Sequence, residues 1–169
     1  MELKLREVCE KDLPAVAAAY HSWMARYPQN DGMTYEDLLS QLRENFRPGA
    51  SSLPDAPRVI LFIAERADGE PVGHVQILAH VDHVEFTGGR LADVPHGDAY
   101  LGPGIRALEK YVLANLPQRR ARVGIWRKHF KFAKILRVYQ RIGFELDEPN
   151  HTEHVVSLQK VLQADSLPA

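Results

Sequence analysis

Apolar positions recur along the chain with two periods, and the switches between them divide it into elements. Leu3-Lys4-Leu5-Arg6 alternates, which predicts a short first strand. Leu13, Val16, Ala17, Tyr20, Met24 and Tyr27 follow helical spacing. Asp12 is the expected cap, and Pro14 is tolerated in the first turn. Pro28 to Gly32 breaks this helix. Thr34-Tyr35-Glu36-Asp37 reads as a capping-box-like start to a second helix. Its apolar face is Tyr35, Leu38, Leu39, Leu42 and Phe46. Residues 47–57, rich in Pro, Ser and Gly, predict a loop.

Arg58 to Glu65 is apolar at odd and even positions alike, the pattern of a strand covered on both faces. Asp68-Gly69 supplies a hairpin turn. Val72 to Asp82 alternates, with Val75, Ile77, Ala79 and Val81 on one face and His74, Gln76, His80 and Asp82 on the other. His83 to Phe86 opens a fourth strand, Gly88-Gly89 marks a turn or bulge, and Leu91 to Val94 continues the run. Residues 95–104 are turn-rich and lead into a helix with Leu101, Ile105, Leu108, Val112 and Leu116 on one face, closed by Pro117. Arg122 to Trp126 is a short strand. Phe132, Ile135, Leu136, Tyr139 and Ile142 form the face of a last helix, and Gly143 ends it in a left-handed cap. Residues 144–146 and 154–158 read as the final strands. This order predicts one α/β (α+β) domain over residues 1–162, with residues 163–169 as a frayed tail.

Composition narrows the classes. The 169 residues, 45% apolar and 25% charged, are those of a globular domain. A single cysteine, Cys9, excludes an internal disulfide and a cysteine-based zinc cluster, and fits a reducing, cytoplasmic setting. No apolar run approaches the about 20 residues that span a bilayer, and no signal peptide is visible. Net charge is −1 but uneven. Nine of the 21 lysines and arginines lie between Arg119 and Arg141, with no acidic residue among them, so 12 basic residues face all 22 acidic ones elsewhere. A basic island in an acidic chain fits a local anionic ligand, or else a solvated helix face.

The closing segment Tyr139-Gln140-Arg141-Ile142-Gly143-Phe144-Glu145, together with the order of elements over nearly the whole chain, resembles the GNAT acyltransferases, which usually read Tyr-Glu-Lys-Leu-Gly-Phe-Glu there. The resemblance implies a central mixed, mostly antiparallel sheet of about six to seven strands with helices on both faces. It implies acetyl-CoA as co-substrate. In the family a Gln/Arg-x-x-Gly-x-Gly/Ala turn holds the pyrophosphate with backbone amides at a helix start, where the dipole favours an anion. The matching six residues are Ala99-Tyr100-Leu101-Gly102-Pro103-Gly104. Both glycines are present; the leading Gln/Arg is replaced by Ala99, and Pro103 removes one donor. Gly102, Gly104 and Ile105 are the expected cofactor contacts there. The strand before the turn, Leu91, Ala92, Asp93 and Val94, would polarise the thioester carbonyl. Lys128, Lys131 and Lys134 are alternative partners of the 3′-phosphate, with Lys131 and Lys134 preferred. Phe132 stands where the family often carries an asparagine.

By the same resemblance Tyr139 would protonate the departing thiolate; its other reading is a core tyrosine. Glu85, with His80 as its rival, is the expected base, and each is otherwise a solvated strand residue. His80 and His83, three apart on one strand, would face opposite ways, so no metal site is expected. Trp23, Tyr27, Tyr35, Glu36 and Asp37 are candidates for lining an acceptor site. Three functions remain open: an N-acetyltransferase acting on a primary amine of a small molecule or protein, an impaired relative that binds CoA or a protein, and a nucleic-acid binder, which the acidic remainder disfavours. Membrane association is not expected, and a homodimer is an allowed state.

Overall fold

A computed structural model of the chain describes residues 2–24, 33–45, 57–90, 97–129 and 131–163, with the backbone alone at 23, 24, 45, 89, 90, 97 and 98. Strands β1 (Lys4–Glu7), β2 (Arg58–Glu65), β3 (Pro71–Ala79), β4 (Val84–Arg90), β5 (Arg120–Trp126), β6 (Glu145–Leu146) and β7 (Val155–Val161) form one sheet in the order β1-β2-β3-β4-β5-β7-β6. Among the described residues only β4 and β5 run parallel; every other pair is antiparallel. Helices α1 (Leu13–Met24) and α2 (Tyr35–Asn45) cover one face, α3 (Leu101–Asn115) and α4 (Phe132–Arg141) the other. The expected fold class is the observed one.

Strand β2 shows why both of its faces are apolar. Ile60 and Phe62 enter the core under α3 and α4, while Leu61 and Ile63 meet Leu13 and Val16 of α1. Each buried side chain of this size contributes about 1.5–3 kcal/mol, so β2 anchors both layers. The first layer is also fastened at its start. The Cys9 N–H donates to Asp12 (2.9 Å), and the Asp12 carboxylate takes Arg6 at 2.7 Å. Asp12 is therefore the distal member of a capping box rather than the cap itself, because a 3-10 turn over Glu10–Asp12 precedes α1. Thr34 and Asp37 make the expected box at α2, the Asp37 N–H donating to Thr34 Oγ1 and the Thr34 N–H to Asp37 Oδ2.

The end of α4 follows from its sequence. The Gly143 N–H reaches the Gln140 carbonyl (3.1 Å) and the Phe144 N–H reaches the Tyr139 carbonyl (3.0 Å), with Gly143 at φ +90°. That is a Schellman cap, and it delivers Phe144 into the core against the Tyr139 ring. Lys160 of β7 ties the same corner: its Nζ donates to the buried Glu109 of α3 (2.8 Å) and to the Ile142 carbonyl (2.7 Å).

Two expectations are corrected. Strand β3 ends at Ala79, not Asp82. The His80 N–H donates to the His83 carbonyl (2.9 Å) across a two-residue turn of Val81 and Asp82. Gly88 and Gly89 interrupt nothing, since they pair in register with Val75 and His74. Gly88 instead permits close approach: at φ +152°, a Cβ there would lie 2.6 Å from the His74 carbonyl oxygen. The expectations placed on residues 27–32, 46–56, 91–94 and 164–169 fall outside the described residues, as does the Trp23 side chain.

Candidate active site

The sheet opens where β4 and β5 part. They pair only at Val84–Ala121 and Glu85–Arg122, although β4 runs on to Arg90 and β5 to Trp126. Beyond Glu85 a cleft of about 540 Å³ occupies the space between them. Phe86, Thr87 and Gly88 form one wall, Gly124, Ile125 and Trp126 the other. On the α3/α4 side it is closed by Leu101, Ile135 and Tyr139, and on the α1 side by Ala19, Tyr20 and Ser22. The cleft therefore communicates with both faces of the sheet.

Tyr139 reaches it from α4. Its ring stands edge-on to Phe144, centroids 5.4 Å apart. Burial pushes its phenol well above the ordinary tyrosine range, so the proton is held at neutral pH. On the other side, β3 presents His74 and Gln76. His74 is 3% exposed, lies 4.7 Å from the Tyr20 ring, and among the described residues has a hydrogen-bond partner on neither ring nitrogen. Burial alone pushes its imidazolium down to about 4, so the ring is neutral at pH 7. Tyr20 Oη donates to Gln76 Oε1 (3.1 Å), and Thr87 Oγ1 approaches the same oxygen (3.4 Å). The cleft thus holds a phenol donor on one side of the gap and an unmet imidazole on the other.

Among the other sequence candidates, Gly102, Gly104 and Ile105 lie in the first turns of α3, preceded by a 3-10 turn over Gly97–Tyr100. Leu101 reaches the cleft, whereas the Ile105 side chain is part of the core. Lys131 is at the start of α4, where its N–H donates to Nδ1 of the cleft residue His129 (3.0 Å), and Lys134 lies one turn on. Phe132 packs against the core. Leu91, Ala92, Asp93 and Val94 lie outside the described residues.

Glu85 and His80 are gathered elsewhere. Glu85 points to the β3–β4 turn, with Oε1 3.7 Å from His80 Nε2 and 3.5 Å from His83 Nε2, and neither Glu85 nor His80 lines the cleft. The expectation that His80 and His83 face opposite ways is wrong. The two-residue turn makes them a directly opposed cross-strand pair, and their rings stack at 4.4 Å and 4°.

Solved structures share this architecture. A chimera of the Vibrio cholerae spermidine N-acetyltransferase SpeG with hSSAT superposes with a TM-score of 0.71 over 100% of both chains, at 15% identity. AAC(6')-Ib in complex with ribostamycin and coenzyme A gives 0.71 at 15% identity, covering 98% of this chain and 96% of that one. A GNAT-family acetyltransferase from Bacillus anthracis gives 0.68 at 16% identity, over 95% of each. The chain has the GNAT fold. No family model and no curated protein matches the sequence.

Within this fold Tyr139 is one of the residues that line the cleft. The sequence reading missed His74, Tyr20 and Gln76 as cleft residues. The available signal was the polar half of the β3 alternation, His74 and Gln76, a face that α1 covers.

Proposed function

We propose that the chain is an acyl-CoA N-acyltransferase, with acetyl-CoA as donor and a primary amine of a small molecule or protein as acceptor. The parting of β4 and β5 carries the reading: a gap open to both faces admits a thioester from one side and an amine from the other. The neighbours lend the class. SpeG is named for spermidine, and AAC(6')-Ib is in complex with ribostamycin and coenzyme A.

The thioester arm enters from the α3/α4 side. Its pyrophosphate is assigned to the N-terminal turn of α3 at Gly102 and Gly104, where backbone N–H groups and the helix dipole favour an anion. Pro103 has no N–H to give, yet at the third position of a helix that donor is unneeded for the helix itself. Lys131 and Lys134 add positive charge at the start of α4. On the α1 side the neutral amine donates an N–H to His74, which orients it. With a pKa pushed to about 4, His74 is too weak a base to retain the proton, so its part is positioning.

The amine lone pair attacks the carbonyl carbon; a C–N bond forms and the C=O π pair moves to oxygen. When that pair returns, the C–S bond breaks and the thiolate leaves. Tyr139 gives its phenolic proton to the sulfur. The proton released by nitrogen returns to the phenolate through water. The products are an amide and free CoA thiol, and every charge formed in the gap is transient.

A second reading, a CoA- or protein-binding module without turnover, is favoured by Ala99, Pro103 and Phe132, where groups common in this fold's enzymes are missing. Incubation with acetyl-CoA and a panel of primary amines, read as free thiol, separates the two. Amine-dependent thiol release supports the enzyme. Saturable acetyl-CoA binding with no release across the panel supports the module.

A further inference from the structure

The β3–β4 turn carries a cluster that the cleft does not use. His80, His83 and Glu85 each offer one ligand atom, all within 4.8 Å of one another. His80 Nε2 and His83 Nε2 are both buried and have no hydrogen-bond partner among the described residues. Their distances to Glu85 Oε1, 3.7 and 3.5 Å, are too long for hydrogen bonds. They are close to the spacing that a shared cation imposes. Two ligands about 2.0–2.1 Å from a tetrahedral zinc stand about 3.3 Å apart.

The surroundings are those of a ligand set. Asp82 Oδ1 lies 2.7 Å from His83 Nδ1 and, as a carboxylate, accepts its N–H. That contact leaves the lone pair of a neutral His83 on Nε2, the atom facing Glu85, and such an outer carboxylate is the usual companion of a metal-bound histidine. Gln118 Nε2 donates to the His80 carbonyl (2.6 Å) and pins the other end of the turn. Arg122, the neighbour of Glu85 in the sheet, turns to the buried Asp147, 3.3 Å away. Glu85 and Asp82 together match the charge of a divalent cation.

We propose that His80, His83 and Glu85 bind one divalent transition metal ion through the two Nε2 atoms and the carboxylate, with a fourth position left to water. Imidazole donors select zinc, cobalt, nickel or copper over magnesium and calcium, which take oxygen ligands. The two rings stack nearly parallel, so ligation tilts them until both lone pairs meet at one point. His80, whose side chain is 30% exposed beside the fully solvated Val81 at the tip of the turn, is the ring that tilts.

Calorimetric titration of the full chain with zinc chloride at pH 7.5, in a non-coordinating buffer, tests the proposal. The expected result is one zinc per chain, no response to magnesium, and affinity reduced about tenfold or more in H80A, H83A and E85Q, with D82N losing about tenfold. Should a variant not fold, the unsubstituted protein still decides: zinc shifts two histidine ring signals in the NMR spectrum, those of His80 and His83. Absence of saturable binding below about 100 μM, binding unchanged in all three ligand variants, or shifts at other histidines overturns it.

Discussion

Strand β4 begins and ends beside buried polar atoms that have no partner among the described residues, and the two ends differ in how much room surrounds them. At its far end His74 faces a cleft of about 540 Å³, space for the reacting ends of two organic molecules. At its near end the Nε2 atoms of His80 and His83 lie within 3.7 Å of one carboxylate oxygen, space for a single ion. The same symptom, an unmet donor or acceptor, thus points to ligands of different size. The cause of the difference is the sheet. Hydrogen bonding between β4 and β5 holds the near end shut at Val84 and Glu85 and fails beyond them.

The sharpest way to break this comparison is to make a buried group unmet where the fold has met it. Lys160→Met strips the partner from Glu109, whose carboxyl burial already pushes upward against the pull of Lys160. Urea denaturation is expected to show a loss of about 3–5 kcal/mol. If the loss is under about 1 kcal/mol, buried polar groups here do not need partners, and the reading of both ends of β4 fails. Next is Tyr139→Phe, which keeps the ring against Phe144 and removes only the proton donor. With the best amine found, kcat should fall about 100-fold, near 2.7 kcal/mol of barrier, while KM for acetyl-CoA stays within about twofold. An unchanged kcat would return Tyr139 to the core.

His74→Leu sharpens the contrast, because it fills the same space without unmet nitrogens. Stability at pH 7 should rise by about 1–2 kcal/mol while KM for the amine increases. The pH dependence has a definite sign. His74 titrates near 4 when folded against 6.5 when free, so on acidification the unfolded chain takes up the proton first. Its contribution is complete above about pH 6.5 and is lost as pH falls towards 4; melts of the leucine variant should be less acid-sensitive across that window. The smallest effect belongs to Glu85→Gln in metal-free buffer. Its half-solvated carboxylate supports little, and stability should move by no more than about 0.5 kcal/mol.

Much of this fold is legible in the chain, and the failures have physical reasons. The two-sided hydrophobicity of β2 predicts two covering layers because Ile60 and Phe62 alternate with Leu61 and Ile63. Tyr139-x-x-x-Gly143-Phe144 predicts its own cap, since the contacts that make it are local. His74 is different. Its alternation with Val75 places it correctly on a face, but whether α1 or water covers that face is a tertiary fact. His80 and His83 were misread because the turn at Val81-Asp82 carries no glycine or asparagine, so the strand seemed to continue and the parity count ran two residues too far. Gly88 records a close approach of the β4 backbone to β3, at His74 and Val75, and from sequence alone that is indistinguishable from a bulge; the parting of β4 from β5 is a tertiary fact.

Acyl transfer by this chain requires the gap between β4 and β5 to receive the thioester, and a crystal structure of the chain grown with coenzyme A tests this most directly. The prediction is a pantetheine arm running between the two strands beyond Glu85 and Arg122, with its sulfur within about 3–4 Å of Tyr139 Oη. A closed or empty gap in a crystal where coenzyme A is bound elsewhere, or a sulfur out of reach of Tyr139, would contradict it.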